Sequence, residues 1–239
     1  MTTLVTGATG NTGRHVVAEL VRRGEHVRAL TRDPGAAAGR FPEEVELVAG
    51  THTAPGTLGD ALEGVDRLHI TVTAGLAEVG PDLVRRAVDA GVRRITVLWG
   101  GFVGPVEQAV ADSGVEWTRL EPQEFMSNTL TWVESIRAEG VVREPYDIPG
   151  AVVHEADIAA VAAVALLDGG HSGALTTSPA PSRSPLESGS RSCPARSGGT
   201  STSSRSRTSR PSTGWSPPAC RAPTPNSSSG GTPPPAPRP

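Results

Sequence analysis

Short apolar runs alternate with longer amphipathic stretches through the first two thirds of the chain. Runs at 3–6, 26–30, 45–48, 66–72, 94–98 and 116–120 predict strands. Apolar positions recurring near the helical period predict helices over 12–23, 55–62, 81–90, 105–113 and 124–138. A further Ala-rich helix, 157–167, has Asp157 at its start as a plausible N-cap. Brief strands separated by helices imply βαβ crossovers and a parallel sheet. Apolar strands such as 95–98 suit a sheet covered on both faces. The fold class predicted is α/β, a doubly wound parallel sheet.

The alternation stops after Gly173, and composition changes there too. Residues 1–173 carry 14 Arg against 24 acidic residues, a net of −10. Residues 174–239 carry 8 Arg against the single acid Glu187, a net of +7, with 14 Pro and 17 Ser. Such a segment buries too little apolar surface to offset its ordering entropy, and is expected to be a disordered tail. The acidic body argues against nucleic-acid binding through a basic face. No apolar run is long enough to span a bilayer, and the chain begins on a strand without a leader pattern, so a cytoplasmic location is expected. The cysteines, Cys193 and Cys220, both fall in the tail, and the histidines lack ligand spacing, so no metal site is expected. The oligomeric state is left open.

The strongest chemical signal follows the first strand. Leu4-Val5-Thr6 runs into Gly7-Ala8-Thr9-Gly10-Asn11-Thr12-Gly13, which opens a helix. Gly7 permits the tight turn, Gly10 lets backbone approach a pyrophosphate, and Gly13 allows close helix–strand packing. Thr9, Asn11 and Thr12 complete the candidate phosphate loop, and the helix start offers free N–H groups. At the end of the second strand stands Arg32-Asp33-Pro34. An arginine there favours a 2′-phosphate, so NADP is the expected cofactor, with NADPH preferred over NADH. The alternative is a solvated Arg32, with Asp33 capping the next helix. Thr51, Thr73 and Pro122, beyond later strands, are the remaining candidate cofactor contacts.

All 22 basic residues are arginine. Without lysine there is no Walker-A lysine, no Schiff-base lysine and no Tyr-x-x-x-Lys pair. Tyr146 is the sole tyrosine. The catalytic residues are therefore unassigned, and a reductase would rely on positioning, with water or another acid protonating the product. Glu121 is either such a donor or a plain strand-end residue. Trp117, Phe125, Met126 and Trp132 line a substrate cleft or pack the core.

VTGATGNTGRHVVAELVRRGEHVRALTRDP resembles the start of NmrA-like, atypical short-chain dehydrogenase/reductase proteins. DALEGVDRLHI, RRAVDAGVRRITVL, VEQAVADSGVEWTRLEPQEFMSN and HEADIAAVAAVAL extend the similarity to about residue 173. The resemblance implies an NAD(P)-binding Rossmann-like domain with a small C-terminal substrate lobe. It also implies either an NAD(P)H-dependent reductase or a cofactor-sensing regulator without turnover. Relatives usually have Asp after the glycine that ends strand three, where this chain has Gly50-Thr51-His52-Thr53. They usually read Arg-Pro-Gly where it has Glu121-Pro122-Gln123.

Arginine without lysine suggests a GC-rich gene, and such DNA read out of frame yields Ser, Pro, Arg, Thr and Gly. Suitable codons for 175–185, shifted back by one base, read AYDLTGPEPLT, close to the strand and turn expected after the last helix. The same offset over 214–230 can read LVAAGMPRPDAELLLG, with helical apolar spacing. Residues 174–239 are thus expected to be a frameshift product; the rival is a genuine Ser/Arg/Pro tail that binds RNA or acidic partners. Three readings follow: an oxidoreductase of a small carbonyl, quinone or imine substrate, a non-catalytic NADP sensor, or a frame-damaged protein retaining only cofactor binding.

Overall fold

The computed structural model describes residues 1–98, 103–143 and 151–177, with backbone alone at 174–177. Seven strands form one sheet: β1 Thr2–Val5, β2 His26–Thr31, β3 Glu46–Ala49, β4 Arg67–Thr71, β5 Arg94–Leu98, β6 Glu116–Glu121 and β9 Ala174–Thr177. Their order is β3-β2-β1-β4-β5-β6-β9, and every neighbouring pair is parallel. The fold is Rossmann-like, with the order reversing between β1 and β4. A separate parallel pair joins β7 Glu124–Phe125 to β8 Val152–Val153.

Alternate side chains on each strand enter two cores. Leu4, Leu68, Ile70, Ile95 and Val97 face α4 Leu76–Asp89 and α5 Pro105–Asp112. Val5, Ala29, Leu98 and Leu120 face α1 Gly13–Arg22 and α7 Glu155–Leu167. Ala159, Ala162 and Ala163 are fully buried, and these small side chains let α7 lie close on α1. Burial on both faces explains the apolar strands.

Local structure departs from the pattern-based expectation in several places. α4 starts at Leu76, five residues before the proline expected to open it, and Pro81 lies inside the helix. Buried Leu76, Gly80 and Leu83 fall on one face, so tertiary burial outweighs the hydrogen bond that proline cannot donate. The single helix expected over 124–138 divides into β7, the 3₁₀ turn Met126–Trp132 and α6 Val133–Glu139. That expected over 55–62 divides into a 3₁₀ turn, Pro55–Thr57, and α3 Gly59–Leu62. α7 is capped by His154, whose Nδ1 accepts from the Ala156 N–H at 3.0 Å, rather than by Asp157. β9 occupies the first four residues assigned to the tail and extends the sheet beyond Gly173. The remaining tail, 178–239, lies outside the described residues.

Among the described residues no helix is long and apolar enough to cross a membrane. Arg85 and Arg86 on α4 are surface partners of Asp82. Arg94, at the start of β5, bonds Glu116 of β6 and the Leu166 carbonyl, tying the sheet to α7.

Candidate dinucleotide site

The turn after β1 is a steric unit built from three glycines. Gly7 has φ +62°, in the left-handed region. The Gly10 N–H donates to the Gly7 carbonyl at 2.9 Å. A Cβ on Gly13 would lie 2.1 Å from that oxygen and 2.7 Å from its carbon, so no side chain fits there. A Cβ on Gly10 would approach the same oxygen to 3.1 Å. Gly13 therefore meets the turn itself rather than only the sheet. α1 begins at Gly13 with buried Thr12 at its N-cap, no side-chain cap and no acid in its first turn. The positive end of the helix dipole is left for an incoming anion.

Outside the C-terminal ends of β1 to β4 opens a cleft of about 640 Å³, the size of a small-molecule site. Of the residues singled out from sequence, Gly7, Thr9, Gly10, Arg32, Thr51 and Thr73 line it. Asn11, Thr12, Gly13 and Pro122 do not. Asn11 reaches away toward Ser127, and Pro122 follows β6, four strands along the sheet from β2.

Two cations face this space. Arg32 is exposed and pairs with no carboxylate among the described residues. Arg40, which no sequence signal marked, also lines the cleft, and its guanidinium donates to the Thr9 carbonyl at 3.3 Å. Asp33 is the one acid lining the cleft, and its Oδ1 accepts from the Ala36 N–H at 3.0 Å, capping α2 Pro34–Ala37. The cap and the cleft-lining arginine thus coexist. The β2 end of the cleft therefore carries net positive charge.

Neutral polar groups line the β3 and β4 ends. Thr51 and Thr53 share a 2.9 Å hydrogen bond, as do His52 Nε2 and Thr73 Oγ1. Burial pushes the His52 imidazole below its ordinary pKa, favouring the uncharged ring. His15 is also lowered, chiefly by burial and then by Arg14; its ring meets His154 edge-on at 5.5 Å.

Trp117 packs against one core and Phe125 against the other, whereas Met126 is exposed. Glu121 is held by Arg119 at 2.7 Å. The residues at 99–102 and Tyr146 lie outside the described residues. Among those described, no group of three His, Cys, Asp or Glu gathers to hold a metal.

Strand order, glycine turn and cationic cleft define a Rossmann-like α/β protein with a positively charged cleft at its switch point. Residues 1–115 match the model of the NmrA-like family, the one that the sequence motifs resemble. The chain is 40% identical over 184 residues to a (4-alkanoyl-5-oxo-2,5-dihydrofuran-3-yl)methyl phosphate reductase of Streptomyces griseus, covering 71% of this chain and 64% of the relative. It is 33% identical over 184 residues to an NAD(P)H azoreductase of Xenophilus azovorans, covering 70% and 64%. The chain thus spans less than two thirds of these curated relatives. Among solved structures, the NADPH complex of an Escherichia coli NADPH-dependent quinone oxidoreductase aligns with TM-score 0.62 and 25% identity, covering 73% of this chain and 68% of that one.

Proposed function

We propose that the cleft binds NADP(H), with NADPH preferred over NADH, and that the chain is an NAD(P)H-dependent oxidoreductase of a small carbonyl, quinone or imine substrate. The observation that carries this reading is the pair of guanidinium groups, Arg32 and Arg40, beside a glycine turn that excludes side chains. A 2′-phosphate at the β2 end would meet both cations, while the 2′-hydroxyl of NADH gains little there. Gly7, Thr9, Gly10, Asn11, Thr12 and Gly13 would hold the pyrophosphate end. Thr51 and Thr73 would supply uncharged hydrogen bonds, and Pro122 would border the far end of the cofactor. When bound, the nicotinamide would supply hydride.

Fluorescence titration with NADPH and NADH tests this. Arg32→Ala should weaken NADPH binding roughly 10- to 150-fold, the loss of one charge-assisted contact, and leave NADH binding nearly unchanged. An unchanged ratio of the two dissociation constants overturns the NADP reading.

The absence of lysine, and with it of a Tyr-x-x-x-Lys pair, supports a second reading, an NADP sensor without turnover. NADPH consumption against a panel of quinones, carbonyls and imines separates the two. We further infer that residues 1–173 are the dinucleotide-binding unit and that the Ser/Pro/Arg-rich sequence behind it arises from a frameshift. An adjacent frame containing early stops, or no family-like residues, removes that inference.

A further inference from the structure

Fourteen consecutive residues, the 3₁₀ turn Met126–Trp132 and helix α6, contain no buried side chain. Leu130 is 68% exposed, and Met126 and Ile136 are exposed as well. This segment follows β6 and passes the glycine turn, yet core packing does not hold it. Among the described residues, two hydrogen bonds tie it to elements distant in sequence. The Ser127 N–H donates to Glu155 Oε1 at 3.0 Å, and Asn11 Nδ2 donates to Ser127 Oγ at 3.4 Å.

Glu155 is the unusual member. It is the first residue of α7 and is 4% exposed. Burying a carboxylate is costly unless its charge is compensated. Here the Ser127 N–H and the positive start of α7 supply that compensation. His154 already caps α7, so the helix does not require the Glu155 side chain as its cap. What the carboxylate does accomplish is to hold Ser127 in front of Asn11, in the middle of the glycine turn.

We infer that Glu155 is a positioning residue that latches the segment 126–139 onto the glycine turn through Ser127 and Asn11, linking dinucleotide binding to the order of this strap. The latch itself stands on the two hydrogen bonds, whereas its link to ligand rests on the proposed dinucleotide site. Asn11 is the shared element. A ligand seated on the turn fixes Asn11, and a fixed Asn11 favours the docked strap; by linkage the docked strap favours the ligand equally. The 3.4 Å Asn11–Ser127 contact is long for a hydrogen bond, and is the part of the latch that occupancy of the turn can strengthen.

Limited trypsinolysis of the full chain reads the strap directly, because Arg137 is exposed on α6. Without ligand, Glu155→Ala should accelerate cleavage after Arg137 about tenfold or more, as expected for losing a hydrogen bond to a charged group. Glu155→Gln retains an acceptor oxygen and should restore most of the protection. Ser127→Ala removes the Asn11 arm alone and should give a smaller acceleration. In the wild type, NADPH at saturation should slow the same cleavage, and in Ser127→Ala it should slow it less.

Equal ligand-free cleavage in wild type, Glu155→Ala and Ser127→Ala overturns the latch. If Glu155→Ala lowers the melting temperature and speeds cleavage at all sites alike, Glu155 is merely structural and the inference fails. A wild type that binds NADPH by titration but gains no protection at Arg137 overturns the linkage while leaving the cofactor site intact. A wild type that binds no NADPH removes the cofactor site and the linkage together, and the ligand-free comparison still decides the latch.

Discussion

Burial holds the His69 imidazole near a pKa of about 4, against an ordinary value of 6.5, so acid protonates this group in the unfolded chain before it does so in the folded one. His69 lies mid-strand on β4, fully buried, with Nδ1 bonded to Thr96 Oγ1 at 2.8 Å and Nε2 without a partner among the described residues. Charging it in place would put an imidazolium in a fully buried site opposite Val5 on β1. Between pH 6.5 and 4 the unfolded state therefore binds more protons, and stability falls as pH falls. The full window corresponds to about 3 kcal/mol. Moving from pH 7 to pH 5 should remove about 2 kcal/mol, a shift of roughly 1 M in the urea midpoint for an ordinary slope. His15 and His52 are lowered too and act in the same direction, so the wild-type slope alone does not isolate His69. The comparison that does is His69→Leu, which orphans Thr96 at every pH but has no proton to bind. Urea unfolding at pH 7, 6 and 5 should show the variant less stable at pH 7 and losing about 2 kcal/mol less on acidification. Parallel stability–pH lines for the two proteins would refute the argument.

Three further outcomes follow from packing and from the chain's division. Gly13→Ala places its Cβ 2.1 Å from the Gly7 oxygen, so the turn must open; NADPH affinity measured by titration should collapse, with a stability loss of about 1–3 kcal/mol. Gly80→Ala should destabilise by a similar ~1–3 kcal/mol despite alanine's better helix propensity, because its Cβ would stand 2.2 Å from Val106 Cγ2 where α4 meets α5. Val106→Ala should relieve that cost, and a double-mutant cycle by urea unfolding checks it, additivity excluding the clash. Restoring the adjacent frame after Gly173 should raise the melting temperature and reduce dye binding to exposed apolar surface; an unchanged melt with unchanged dye binding counts against the frameshift.

Much of the cofactor end was legible because its information is local. Glycine at 7, 10 and 13 beside a short apolar strand encodes a turn whose dimensions are set by backbone sterics, and these residues pack on one another within seven positions. Arg32 was legible for the same reason, as it directly follows β2. Arg40 was not, since nothing in its neighbourhood in sequence says that the chain returns to Thr9, 31 residues earlier. The helix starts show the same limit. Pro81 and Asp157 are favourable helix-start residues, yet α4 begins earlier, at buried Leu76, and α7 begins behind the His154 cap.

By itself the sequence determined the α/β alternation, the position of the glycine turn, the acidic body and the missing lysine that leaves the catalytic acid unassigned. Only the tertiary structure decided that β9 continues the sheet past Gly173, that His69 meets Thr96 with one nitrogen unpartnered, and that Glu155 reaches Ser127 across 28 residues. Periodicity and steric turns are properties of neighbouring residues, whereas strand register and helix packing bring together groups whose separation along the chain carries no signal of their contact.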